Sequence, residues 1–246
     1  MNDEYAESAE YIDILISPFW NDLGPALAAA IKDVDPSDGP IIDIGAGSGC
    51  GTTVIARYLP KAEIVAVEPS PGLRSALLAK VSADAALRRR VTVLPERFLE
   101  ADLPDRLSLA VAMNVIGHFS PPERHRIWGL LAERLAPNGR VVLNLQPPSE
   151  PIAVPDTVSS TVDVGRRRYE GSARAEPTGD RTLTWYMTYR TYQGHDLVDE
   201  RRASYTWHLL TERQLRDELA QANLQLRHLE PADLGMCVIT RAKTQR

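Results

Sequence analysis

The sequence predicts an α/β protein on a doubly wound, mostly parallel sheet, with a helical segment in front and an antiparallel β-meander inserted late. Three observations carry this. Apolar strand-like runs alternate with helical periodicity from Ile41 to Leu145. The first run, Ile41-Ile42-Asp43-Ile44, enters a glycine-dense turn, Gly45-Ala46-Gly47-Ser48-Gly49, after which a helix begins. From Arg166 to His208 the periodicity changes to two residues. Strand–helix alternation implies parallel strands joined by crossover helices, whereas period-two runs separated by turn residues imply a meander.

Residues 5–34 read as two helices divided at Ser17-Pro18; the second, Trp20 to Ile31, places Leu23, Leu27 and Ile31 on one face. Asp35-Pro36-Ser37-Asp38-Gly39-Pro40 then breaks the helix and delivers the chain to the opening strand. A second strand, Glu63 to Val67, closes on Glu68, and Pro69-Ser70 start a helix to about Lys80. A helical Ser82–Arg90 leads to a third strand, Val91 to Leu94, and a loop, Pro95-Glu96-Arg97-Phe98. Leu107 to Met113 is apolar enough for a strand buried on both faces. Ser120 with Glu123 forms a capping box for a helix that stops at Pro137-Asn138-Gly139, and a fifth strand runs from Arg140 to Leu145. Residues 146–165 read as loop, followed by three alternating runs, Arg166–Ala175, Arg181–Tyr192 and Leu197–His208. Thr211 and Gln214 cap a helix to Ala222, with Asn223 as its stop, and Leu224–Leu229 and Met236–Arg241 make a closing hairpin.

Chain length and charge narrow the functional classes. The 246 residues suit one large domain with an insertion. A formal charge of −5 gives no footprint for a phosphate backbone, and the one basic cluster, Arg166-Arg167-Arg168, reads as a solvated turn or strand edge or a local anion contact. Cys50 and Cys237 lie too far apart for a disulfide framework or a metal motif, so a reducing cytoplasm and no metal are expected. The acidic opening, Met1-Asn2-Asp3-Glu4, is unlike a secretory leader, and no apolar run approaches the roughly 20 residues of a membrane span.

Glycines remove the Cβ atoms that keep a ligand away from backbone N–H groups, so the turn at 45–49 is a cradle for a nucleotide-like guest. A phosphate-binding loop requires a Gly-Lys-Ser/Thr ending, and Gly51 is followed by Thr52-Thr53. A dinucleotide fingerprint requires a sixth-position glycine, which is Cys50 here, and Asp43 sits badly beside a pyrophosphate. Asp43 suits a guest that carries positive charge.

The run Asp43-x-Gly45-x-Gly47-x-Gly49, with Glu68 closing the second strand, resembles the first motifs of class I S-adenosylmethionine-dependent methyltransferases of the small-molecule type. The resemblance spans residues 40–145 and resumes at 211–241. It implies a Rossmann-like seven-stranded sheet whose final strand is antiparallel. The implied divisions are an N-terminal helical lid at 1–34, a cofactor-binding domain at 35–145 and 209–246, and a meander insertion at 146–208 serving as substrate pocket, dimer contact or both. It further implies that Gly45, Ala46, Gly47 and Gly49 cradle the methionine part of the cofactor with Asp43 nearby, and that Glu68 accepts from the ribose hydroxyls. Pro69, Arg97 and Phe98 would flank the adenine, and Asn114 and Val115 would line the sulfonium region. Ser108 stands where many relatives carry aspartate.

The implied activity is methyl transfer to a small organic acceptor, O- or N-directed, of the kind found in natural-product biosynthesis, leaving S-adenosylhomocysteine. A reaction that uses the sulfonium only as a fixed charge, or a non-enzymatic cofactor-binding module, are the alternatives. His118 is the candidate base or orienting group, with simple loop hydrogen bonding as its other use. Tyr11 is the second catalytic candidate, and Tyr5 and Tyr11 both lie in the lid the resemblance implies, where ordinary packing is the alternative. Trp185, Met187 and Tyr189 share one face of a meander strand and Tyr186 and Tyr192 the other. One face is expected to roof an acceptor pocket and the other to meet a second subunit, or both simply to pack. The partners expected are therefore a small molecule and a homodimer mate, with no nucleic acid and no membrane.

Overall fold

A computed structural model describes residues 3–242. The chain forms α1 (Ala9–Ile16), α2 (Trp20–Ile31), β1 (Ile41–Ile44), α3 (Cys50–Tyr58), β2 (Ile64–Val67), α4 (Pro71–Ala83), α5 (Ala85–Arg90) and β3 (Val91–Leu94). There follow β4 (Leu107–Ala112), α6 (Pro121–Arg134) and β5 (Leu135–Asn144), then the meander β6 (Val154–Val164), β7 (Arg167–Gly179), β8 (Thr182–Gln193) and β9 (Asp196–His208). The chain closes with α7 (Glu212–Gln221), β10 (Leu224–His228) and β11 (Met236–Arg241).

Seven strands make one sheet in the order β10-β11-β5-β4-β1-β2-β3, with β11 antiparallel to β5 and to β10 and the remaining neighbours parallel. Every residue of β1 and β4 is buried, as helices on both faces of a parallel sheet require. Ile42, Trp128, Leu131 and Leu215 fill one side, and Leu27, Ile31, Ile55 and Leu77 the other. The chain leaves β1 toward β2 on one flank and returns through β4 on the other. That reversal opens a crevice beyond the carboxyl ends of β1 and β4, the usual ligand position in such sheets. Capping is as the sequence predicts: Ser120 with Glu123 opens α6 and Thr211 with Gln214 opens α7.

The second sheet, β6-β7-β8-β9, is antiparallel throughout. Its inner face receives α1, where Tyr11 and Leu15 pack on Tyr189, and its end seats on the turn after β4. There Trp207 of β9 lies so close to Gly117 that a Cβ would sit 2.0 Å from the ring. The outer face, expected to meet a second subunit, carries paired charges. Arg190 sits between Glu170 (3.3 Å) and Glu200 (3.0 Å), and Arg174 lies over the Tyr186 ring at 4.0 Å.

Four readings are corrected. Residues 154–164, expected as loop, form β6; this edge strand is exposed along most of its length and contains Pro155, so no apolar alternation marks it. The α6 helix ends at Arg134 and not at Pro137, because Leu135 already pairs with Leu107 in the sheet. Tyr5 lies in a turn ahead of α1 and not in a helix. The near-continuous helical stretch Ala9–Ile31 has 23 residues at hydropathy 1.3, long and apolar enough to cross a membrane, although 39% of the assessed window is packed inside the protein. Asp13, Asn21 and Asp22 break the apolar run when it is read residue by residue.

Candidate active site

At the ends of β1 and β4 lies a cavity of about 540 Å³, within the range of small-molecule and cofactor sites. Its floor is the glycine turn. Gly45 has φ +65°, and a Cβ there would meet Val115 Cγ2 at 2.5 Å, so only glycine lets the loop after β4 close down on the turn. Glu68, at the end of β2, spans the turn: Oε2 accepts from the Gly47 N–H at 2.8 Å and Oε1 from the Ser70 N–H at 2.7 Å. Burial pushes its carboxyl upward against those bonds. Arg74 holds the same corner by donating to the carbonyls of Glu68 and Pro69. Asp43 is buried at the end of β1, accepts from the Thr52 hydroxyl at 2.6 Å, and is pushed up to about 6, chiefly by desolvation and then by the Glu68 charge.

Asn114, with φ +56°, turns the chain out of β4 and is fixed by a reciprocal amide pair with Asn144. Its N–H donates to Asn144 Oδ1 at 2.7 Å and its Oδ1 accepts from Asn144 Nδ2 at 2.8 Å. Four residues on, His118 is held at both ring nitrogens, with Nε2 2.8 Å from the Tyr5 hydroxyl and Nδ1 3.5 Å from Glu4 Oε2. The neighbouring Glu4 carboxylate, which only accepts, favours the tautomer with the ring proton on Nδ1, in which Nε2 accepts from the Tyr5 hydroxyl. The Tyr5 hydroxyl is held well above the usual phenol range, first by burial. Tyr205 and Trp207 complete an aromatic wall, with ring centroids 5.2 and 5.0 Å from that of His118, and Tyr5 stacks on Tyr205 at 6.1 Å.

Among the residues expected to bind the cofactor, Asp43, Gly45, Ala46, Gly47, Glu68, Pro69, Arg97, Phe98, Asn114 and Val115 all line this cavity, as does His118. Gly49 does not: it forms the left-handed N-cap of α3 at φ +92°, and a Cβ there would press on Leu77 of α4 at 2.7 Å. Tyr11 is also displaced from the site. Its side chain is wholly buried under the meander, donating to Asp199 Oδ2 at 2.9 Å and sharing a bond with Thr191 Oγ1, so it anchors α1 to the insertion. Met187 and Tyr189 reach the cavity as the roof, whereas their face-mate Trp185 packs with Leu183 and Ala175. Among the described residues the buried Ser108 hydroxyl, where many relatives were expected to carry aspartate, has no hydrogen-bond partner.

Sequence reading missed Asp3, Glu4, Asn144, Tyr205 and Trp207. Asn144 had a signal, a polar residue closing the apolar run Val141-Val142-Leu143, and Tyr205 and Trp207 share a face by alternation. Asp3 and Glu4 had none, since nothing local shows that the first residues fold back over the crevice.

Residues 42–141 match the family described as a methyltransferase domain. No curated protein sequence matches the chain. Several solved structures share the fold. A SAM-bound amino pentose methyltransferase from Micromonospora echinaspora involved in calicheamicin biosynthesis is 16% identical, with 91% of this chain and 92% of that chain covered and a TM-score of 0.70. The CcbJ methyltransferase from Streptomyces caelestis is 18% identical, with 94% and 97% covered and a TM-score of 0.70. A sugar N-methyltransferase from Streptoalloteichus sp ATCC 53650 is 17% identical, with 89% and 87% covered and a TM-score of 0.67.

Proposed function

We propose, from the premise that residues 42–141 form a methyltransferase domain, that the protein transfers a methyl group from S-adenosylmethionine to a small organic acceptor held under the meander. The observation that carries the reading is one continuous cavity with two unlike ends, a glycine turn flanked by Asp43 and Glu68 and an aromatic wall around His118. The structural neighbours named as amino pentose and sugar N-methyltransferases support a small acceptor of natural-product type.

The residues fit the cofactor. Gly45, Ala46 and Gly47 give a surface without bulky side chains, and Glu68 spends one acceptor position per oxygen on the backbone, leaving others for ribose hydroxyls. Asp43 is a buried carboxylate that, among the described residues, has no cationic partner, a setting that favours a positively charged guest. When bound, the cofactor supplies a methyl carbon made electrophilic by its positive sulfur. Phe98 and Pro69 would flank the base, and Asn114 and Val115 the reacting end.

The remaining catalytic work is placement and proton handling. Asp3, Glu4 and Tyr5 lie over the crevice, with Asp3 Oδ2 accepting from the Ser70 hydroxyl at 3.0 Å, and so keep water from the acceptor. Tyr5, His118 and Glu4 form a relay. The Tyr5 oxygen takes a proton from the acceptor as its own passes to His118 Nε2, and the Glu4 carboxylate faces the imidazolium that forms.

Calorimetric titration with S-adenosylmethionine and S-adenosylhomocysteine tests the assignment. Glu68→Ala is expected to weaken both by at least about tenfold, the scale of one lost charge-assisted hydrogen bond. Unchanged affinity in the variant would remove Glu68 from the site and the reading with it.

A further inference from the structure

Resting on the acceptor chamber just described, we propose that the acceptor is a basic amine that enters as its ammonium ion, with Glu4 as counter-ion and the rings of Tyr5, Tyr205 and Trp207 as its wall. Charge is the first argument. Among the described residues, the carboxylates lining the cavity are Asp3, Glu4, Asp43 and Glu68, and the sole arginine or lysine is Arg97. Arg97 stands next to Phe98 at the cofactor end, and its guanidinium is directed to Glu123 at 3.4 Å. A carboxylate or phosphate acceptor would therefore meet acids with no free cation to receive it.

The wall is the second argument. Tyr205 lies 6.1 Å from Tyr5 and 6.3 Å from Trp207 between ring centroids, with His118 beside them. Ring faces attract a cation through their quadrupole, and more strongly once water is excluded. An aromatic wall alone would also suit a neutral phenol; Glu4 distinguishes the two. Among the described residues its carboxylate pairs with His118 Nδ1, at 3.5 Å, and keeps acceptor positions open for N–H donors.

The chemistry balances. The ammonium gives one proton to the Tyr5–His118 relay, and the neutral amine forms the new C–N bond as the C–S bond of the sulfonium donor breaks. The electron pair stays on sulfur, and the products are a methylated ammonium, a thioether and one proton released.

The test uses the full chain saturated with S-adenosylhomocysteine at neutral pH and titrated separately with benzylammonium, benzyl alcohol and benzoate, on wild type and Glu4→Gln. Benzylammonium is expected to bind at least roughly tenfold tighter than either isostere, and Glu4→Gln to cut that preference about tenfold while leaving benzyl alcohol unchanged. Benzylammonium that fails to bind or binds no better than benzyl alcohol, or a preference that survives in Glu4→Gln, overturns the proposal. Failure of S-adenosylhomocysteine itself to bind instead brings down the proposed function, and this inference with it.

Discussion

Burial, and then the Glu68 charge, outweigh the hydrogen bonds that Asp43 accepts from the Thr52 hydroxyl and backbone, and its carboxyl stands at about 6 in the folded chain. The unfolded reference lies near ~3.9. Raising the pH through that interval ionises the unfolded chain first, so the folded state loses relative stability up to about pH 6, by at most ~3 kcal/mol. A cationic guest beside the carboxylate favours the ionised form and pulls the value back down. Affinity for S-adenosylmethionine is therefore expected to rise about tenfold from about pH 5 to about pH 7, and to rise less in Asp43→Asn. Calorimetry at the two pH values decides it; a wild-type affinity that falls with pH, or equal slopes in both proteins, contradicts the role. At this scale the glycine-turn end of the cavity was legible because its residues are close in sequence: a strand, a turn and the acid closing the next strand. Tyr11 read as catalytic for want of distance information, since its hydroxyl is met by Thr191 and Asp199, 180 and 188 residues away.

Between elements, α6 and α7 are tied by a buried charge. Arg124 is fully buried, makes two bonds to Glu218 through Nε and one through Nη2, and donates from Nη1 to the carbonyl of Phe119, next to His118. Trp128 Nε1 donates to the same Glu218 at 2.9 Å. Removing one partner strands the other, so Arg124→Met is expected to cost about 3–5 kcal/mol, and the pair Arg124→Met with Glu218→Leu to recover a substantial part. Urea unfolding of the two variants checks this; a double variant no more stable than the single would show that the network is worth more than its desolvation cost. Elements with two buried faces or a capping box were legible, because apolar runs and caps are local. The exposed edge strand β6 was not: its order comes from pairing with β7, which leaves no periodic mark in Val154–Val164.

The whole molecule closes one chamber from three distant parts of the chain. The sheet reversal opens it, the meander roofs it with Met187, Tyr189, Tyr205 and Trp207, and residues 3–5 cover it. The doubly wound α/β layout followed from strand and helix alternation, the seven-stranded sheet with its antiparallel last strand from the family resemblance, and the existence of an insertion from the change of period. Which insertion residues face the chamber depends on how β9 seats on Gly117, a contact made across 90 residues, and so was open until the fold was in hand. The two ends of this chamber are expected to hold methyl donor and acceptor face to face. A crystal structure with S-adenosylhomocysteine tests it most directly. Ribose hydroxyls are expected on Glu68, the amino acid part over Gly45–Gly47, and the sulfur turned toward the wall of His118, Tyr205 and Trp207. A cofactor bound elsewhere, or one whose sulfur faces away from that wall, would contradict it.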